Sequence, residues 1–126
     1  MTEDPAKTED PVLRIRILFG EDAMLGPGKA DLLERIRDTG SIAAAGRSMK
    51  MSYKRAWTLI DEMNSAFRDP LVESSRGGAK GGGARLTGAG DTVLIHYRKL
   101  EEIMAEAGAA RINAIQAMLN DIPGGK

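Results

Sequence analysis

The chain has 126 residues, 42 % of them hydrophobic and only 4 % aromatic, with 18 Lys/Arg against 18 Asp/Glu and no cysteine. This length fits one domain with an appendage, and the absence of cysteine excludes disulfides and thiolate metal sites. No apolar run approaches the roughly 18 residues of a membrane span, and the acidic opening MTEDPAKTEDP lacks the apolar core of a signal peptide, so a cytoplasmic protein is expected.

Taken in chain order, residues 1–11 are polar with two prolines and read as a disordered tail. In the following VLRIRILF, Leu13, Ile15, Ile17 and Phe19 alternate with Arg14 and Arg16, the period of a strand with one polar face. Gly20-Glu21-Asp22 makes a turn, Ala23-Met24-Leu25 a short return strand, and Gly26-Pro27-Gly28 breaks it. Between Lys29 and Arg37 the stripe Leu32, Leu33, Ile36 predicts a first helix, ended by Thr39-Gly40.

Ser41 suits the N-cap of a second helix, Ile42 to about Met49, rich in alanine and small enough to cross close to a neighbour. Ser52 caps a third. Tyr53, Ala56, Trp57, Ile60, Met63 and Phe67 recur on its core face, while Lys54, Arg55, Thr58, Asp61, Glu62 and Ser65 lie opposite. Its cations come first and its acids later, the reverse of the helix-dipole preference, and a phosphate partner explains the reversal. Lys54 and Arg55 therefore read as DNA-facing rather than merely solvated. Trp57 reads as core. Tyr53 admits two readings, a half-buried ring or a hydroxyl that reaches a phosphate.

Charge is unevenly placed. Residues 1–40 carry six Lys/Arg and nine Asp/Glu, residues 41–90 eight and four, and residues 91–126 four and five. The cationic excess thus sits on the middle segment, and counterion release needs only a local basic surface. Five of the seven residues Gly77–Gly83 are glycine. They stand between the strands expected at Leu71-Val72-Glu73 and Ala84-Arg85-Leu86. A phosphate-binding P-loop needs lysine and a hydroxyl residue at the start of a helix. Here Lys80 precedes Gly81 and the loop feeds a strand, so nucleotide binding is set aside. A wing fits better: Gly77, Gly78, Gly81, Gly82 and Gly83 let the backbone approach phosphates, and Arg76, Lys80 and Arg85 supply charge. A surface hairpin without a ligand is the bland alternative.

Thr87 caps a long final helix. Val93, Tyr97, Leu100 and Met104 keep three- or four-residue spacing. Gly108 interrupts the seam, and Ile112, Ile115 and Leu119 resume it out of phase, as in a stutter. Dimerisation is the expected use of these seven residues; two helices folded back on their own domain are the alternative. His96, the single histidine, has no cysteine or second histidine to join it in a metal site or nucleophile–base pair, so no catalysis and no metal are expected. Adjacent Asp61 and Glu62 diverge by about 100° on a helix and read as solvated or paired to arginine.

The expected fold is mainly α with a small β component: a winged helix-turn-helix over 12–87, a dimerisation helix over 88–120 and a flexible tail over 121–126. The run from Leu13 to about Leu100 resembles the N-terminal domain of ModE-type molybdenum-responsive transcriptional regulators, a winged-helix group related to the LysR type. The resemblance rests on SIAAAGRSMKMSYKRAW, LIDEMN, LVESSRGGAKGGGARLT and LTGAG. It implies the fold, a homodimer on double-stranded DNA and a link to molybdenum metabolism; two recognition helices about a twofold axis would then read an inverted repeat. Carried over by position, Ser52, Tyr53, Lys54 and Arg55 would face DNA, with the wing beside them and Thr58 one turn on. Regulators of this type continue into β-barrel domains that bind molybdate, and this chain ends at Lys126. The chain is then either a stand-alone DNA-binding member, the favoured expectation, or a piece of a longer regulator; no cofactor is expected, and direct oxyanion binding by the wing glycines is the less favoured reading. The alternative from another class is a winged-helix protein–protein adapter without DNA binding, which has no reason to concentrate Lys54, Arg55 and the wing cations.

Overall fold

The computed structural model describes residues 11–75 and 83–120. The elements run β1 (Ile17–Leu18), β2 (Met24–Leu25), α1 (Pro27–Thr39), α2 (Ile42–Ser48), α3 (Tyr53–Ala66), β3 (Val72–Ser75), β4 (Gly83–Leu86), α4 (Gly88–Ala107) and α5 (Ala109–Gln116). Two antiparallel hairpins flank the helices. Ile17 pairs with Leu25 and Leu18 with Met24 in the first, and Val72 with Leu86 through Ser75 with Gly83 in the second.

Three helix starts follow from capping. Ser41 Oγ accepts the Ala44 N–H at 3.0 Å, Ser52 Oγ the Arg55 N–H at 2.9 Å, and Thr87 Oγ1 the Gly90 N–H at 3.0 Å, each satisfying a donor the helix cannot. Gly40 ends α1 at φ 71°, in the left-handed region glycine tolerates. The helix itself begins earlier than expected. The Gly-Pro-Gly breaker contributes its proline to the first turn of α1, where a missing N–H costs nothing.

The core gathers Leu32, Leu33 and Ile36 of α1, Ile42 and Ala45 of α2, Ala56, Leu59, Ile60 and Met63 of α3, and Leu71, Leu86, Leu94 and Tyr97 from the rest. The small residues of α2 serve as expected: a Cβ on Gly46 would stand 3.3 Å from the Ala56 Cβ, so α2 and α3 cross closely. Asn64 clasps the second hairpin to α3. Its Oδ1 accepts the N–H groups of Leu71 and Val72 at 2.8 and 3.2 Å, and its Nδ2 donates to the Val72 carbonyl at 3.1 Å.

Several expectations need correction. The alternating stretch pairs over only two residues, because β2 offers no longer partner; Ile15 and Ile17 pack on the core, and Phe19 is exposed. On α3, Leu59 is buried and Tyr53 is not, because the first turn projects past α2. Trp57 is half-buried at the rim of the core. Glu62 pairs with a lysine rather than an arginine: Lys29 Nζ, 8 % exposed, lies 3.1 Å away and also donates to the Met24 carbonyl at 3.2 Å. The final helix is two helices that meet at Gly108 (φ −94°, ψ 0°). The bonds from Gly108 N–H to the Met104 carbonyl and from Ile112 N–H to the Gly108 carbonyl persist across the junction.

Candidate nucleic-acid interface

The turn between α2 and α3 is tight. The N–H groups of Met49 and Met51 both reach the Gly46 carbonyl at 3.0 Å, and Lys50 takes φ 60°. This brings the start of α3 out beside the N-terminal turn of α2. Ser52, Tyr53, Lys54, Arg55 and Thr58 are all exposed, so the start of α3 presents every residue that the sequence assigned to the recognition helix. Among the described residues no ion pair involves Lys54 or Arg55. A cation without a counter-ion at a helix N-terminus is disfavoured by the dipole and is free to meet phosphate.

The structure refines these roles. Ser52 spends a lone pair on its cap, while its hydroxyl proton remains able to donate. Thr58 Oγ1 donates to the Lys54 carbonyl at 3.0 Å, so it can offer a partner only an acceptor. Tyr53 and Arg55 point to different sides of α3. Tyr53, 58 % exposed, stands edge-on to Trp57 with ring centroids 6.3 Å apart, and both line a cleft of about 380 Å³ with Ser41, Ile42, Ala43, Ser74, Ser75 and Gly83. Arg55 instead lines a cleft on the other flank, with Arg16, Lys29 and Met51.

The cleft beside Tyr53 continues into a second of about 400 Å³, lined by Gly40, Glu73, Ala84 and Arg85 as well as the same Ser74, Ser75 and Gly83. Together they form a trough between α2, α3 and the second hairpin. Arg85 lies along it, exposed and paired to Glu73 at 3.3 Å. Gly83 is held against α1: the Ala84 N–H donates to the Gly40 carbonyl at 3.0 Å. Of the wing residues, Arg76, Gly77, Gly78, Lys80, Gly81 and Gly82 lie outside the described residues. Sequence reasoning missed Ser74 and Ser75, which line the trough; their signal was only a Ser-Ser pair next to the glycine run.

The seven residues assigned to dimerisation separate. Tyr97 is 2 % exposed, packed in its own domain with its hydroxyl donating to the Ile15 carbonyl. Val93 packs on the core, and Leu100 lines an apolar cleft with Ile17, Phe19 and Phe67. Met104, Ile115 and Leu119 are exposed, Ile112 half so. Ile95, Ile103 and Met118, which the seam omitted, are exposed as well. The physical reason is that α4 must bury one stripe on the head before it extends beyond it.

Comparison with known proteins agrees with this architecture. Residues 29–91 match the bacterial regulatory helix-turn-helix protein, lysR family. The chain is 40 % identical over 83 residues to the molybdenum-pterin-binding protein MopA of Rhodobacter capsulatus, covering 66 % of this chain and 31 % of that one. To the molybdenum transport protein ModE of Azotobacter vinelandii it is 39 % identical over 94 residues (75 % and 33 %). To the DNA-binding transcriptional dual regulator ModE of Escherichia coli (strain K12) it is 40 % identical over 81 residues (64 % and 31 %). The chain thus spans about a third of the length of these relatives. The fold is similar to that of the CbnR DNA-binding domain solved with DNA, with a TM-score of 0.55 at 19 % identity over 70 % of this chain and 95 % of that one. A match that spans both helices of the helix-turn-helix and the second hairpin places the chain in the bacterial regulatory helix-turn-helix family of the LysR type.

Proposed function

We propose that this chain is a sequence-specific DNA-binding transcriptional regulator that acts as a homodimer on an inverted repeat. The observation that carries the reading is the exposed start of α3, where Lys54 and Arg55 have no ion pair among the described residues and Tyr53 lines a trough walled by the second hairpin. In this arrangement α3 enters the major groove by its N-terminal residues, and the hairpin follows the adjacent backbone. Relatives named as regulators of transcription and as molybdenum-transport and molybdenum-pterin-binding proteins support both the activity and target genes concerned with molybdenum. The exposed apolar residues of α4 and α5 support pairing of two chains, since burying them removes apolar area from water at roughly 25 cal/mol per Å².

Selection from randomised duplex DNA, followed by gel-shift titration at several salt concentrations, tests the reading. The expected result is enrichment of an inverted repeat bound far more tightly than unrelated duplex. A protein that enriches no sequence would instead be an adapter on a winged-helix scaffold.

A further inference from the structure

The guanidinium of Arg98 on α4 is gripped by three carboxylates. Nη2 lies 2.8 Å from Asp31 Oδ1, Nε donates to Glu34 Oε1 at 2.9 Å, and Nη1 donates to Glu101 Oε1 at 3.0 Å. Asp31 and Glu34 stand three residues apart on one face of α1, and Glu101 lies on α4 itself. The same cation is 5.9 Å from the ring centroid of Tyr97, and Arg14 approaches Asp31 at 3.8 Å. Burial works against the Arg98 charge, but its hydrogen bonds to Asp31, Glu101 and Glu34 outweigh that and raise its pKa above the ordinary arginine value. A planar fork with five donors fits several carboxylates at fixed angles, which a lysine cannot do.

The position of this clamp matters. From Glu102 to Ala107 every residue of α4 is exposed, so Arg98 makes the last described polar tie between α4 and α1. Beyond it the helix is a lever. At 1.5 Å per residue the end of α4 lies about 14 Å past Arg98, and a swing of about 20° there would move it by roughly 5 Å. That exceeds the roughly 3.4 Å rise of one base pair.

We propose that Arg98 is a positioning residue for DNA recognition: it holds α4 at a fixed angle to the DNA-reading head and so sets the half-site spacing that the dimer accepts. The inference rests on the homodimer reading above, with pairing through the exposed parts of α4 and α5.

The absence of cysteine allows a direct test. Ser65→Cys, exposed on α3 and away from its first turns, carries one spin label per chain, and double electron–electron resonance reads the distance between the two heads. The parent is expected to give one narrow distribution, Arg98→Ala a broad one, and Arg98→Lys an intermediate width. On duplexes built from the selected operator with base pairs inserted between half-sites, the parent should lose about a hundredfold in affinity, because the second head cannot engage. Arg98→Ala should lose less than about tenfold, with affinity for a single half-site unchanged. If Arg98→Ala does not fold, Glu34→Gln takes its place with a smaller expected broadening. A folded, dimeric variant with the parent's distance width and spacing profile overturns the role of Arg98 and leaves the dimer standing. A parent that sediments as a monomer and shows no inter-label distance overturns both.

Discussion

Two single positions separate recognition from packing. Arg55 is exposed and off the core, so Arg55→Ala is expected to weaken specific binding by about 1–3 kcal/mol, if it makes a bidentate base contact, with no loss of thermal stability. Gel-shift titration beside a melting curve checks both halves, and operator affinity equal to the parent's would remove Arg55 from the interface. Gly90 is the converse case. A Cβ there would stand 2.1 Å from the Leu71 carbonyl oxygen, where the first turn of α4 crosses the start of the second hairpin. Gly90→Ala is expected to destabilise by about 3 kcal/mol. Gly88→Ala, whose Cβ would meet nothing within 4 Å, should be neutral or stabilise by up to about 1 kcal/mol. Denaturant melts of the two variants give the contrast.

At the level of elements, two side chains decide where the hairpins and α4 sit. Asn64 holds the second hairpin to α3 through three bonds to backbone groups. Asn64→Ala strands those groups and is expected to cost about 2–3 kcal/mol. Because β3 and β4 wall the trough, DNA affinity should also fall at temperatures where the variant remains folded. Tyr97 ties α4 to the segment before β1 through the Ile15 carbonyl. Burial, with the charge of Glu101 adding to it, raises the pKa of its hydroxyl above the ordinary 10. A folded value above the unfolded one means that the neutral hydroxyl stabilises at every pH below about 10. That contribution disappears as pH rises through the folded value. Tyr97→Phe is therefore expected to cost about 1–2 kcal/mol at neutral pH, and its deficit relative to the parent should shrink above pH ~10. Urea melts of both proteins at the two pH values measure the difference.

For the whole molecule, assembly and electrostatics are coupled. Ile115 is 64 % exposed on α5, so Ile115→Asp is expected to dissociate the proposed dimer and leave the head folded. Leu100 is half-buried against the first hairpin side, so an aspartate there would damage the head as well and is the poorer test. Dissociation should lower operator affinity by the avidity lost with the second half-site, about 10²-fold or more. Sedimentation at micromolar concentration beside gel-shift titration checks the pair of effects. If Arg76, Lys80 and Arg85 contact phosphates, each alanine substitution should make the slope of log affinity against log salt shallower by roughly 0.9, equally for all sequences. A changed sequence preference at constant slope would make the wing a base reader.

Local chemistry carried much of this into the primary structure. Ser41, Ser52 and Thr87 announce helix starts because a capping hydroxyl acts on N–H groups two or three residues away. Gly40 announces a helix end, and the cations at the start of α3 single out the turn proposed to face DNA without any knowledge of neighbours. The failures fall where a residue's fate depends on a distant partner. Periodicity put Tyr53 and Tyr97 each on an apolar stripe, and it cannot tell a stripe covered by its own domain from one left bare. Folding buried Tyr97 beneath the Ile15 carbonyl and left Tyr53 outside. The Arg98 clamp joins residues 64 and 67 positions apart, and no local pattern announces it. Helix caps are short-range and legible in a few residues; burial and ion-pair partners exist only once α1 and α4 are packed together, and the trough beside α3 only once α2, α3 and the second hairpin are.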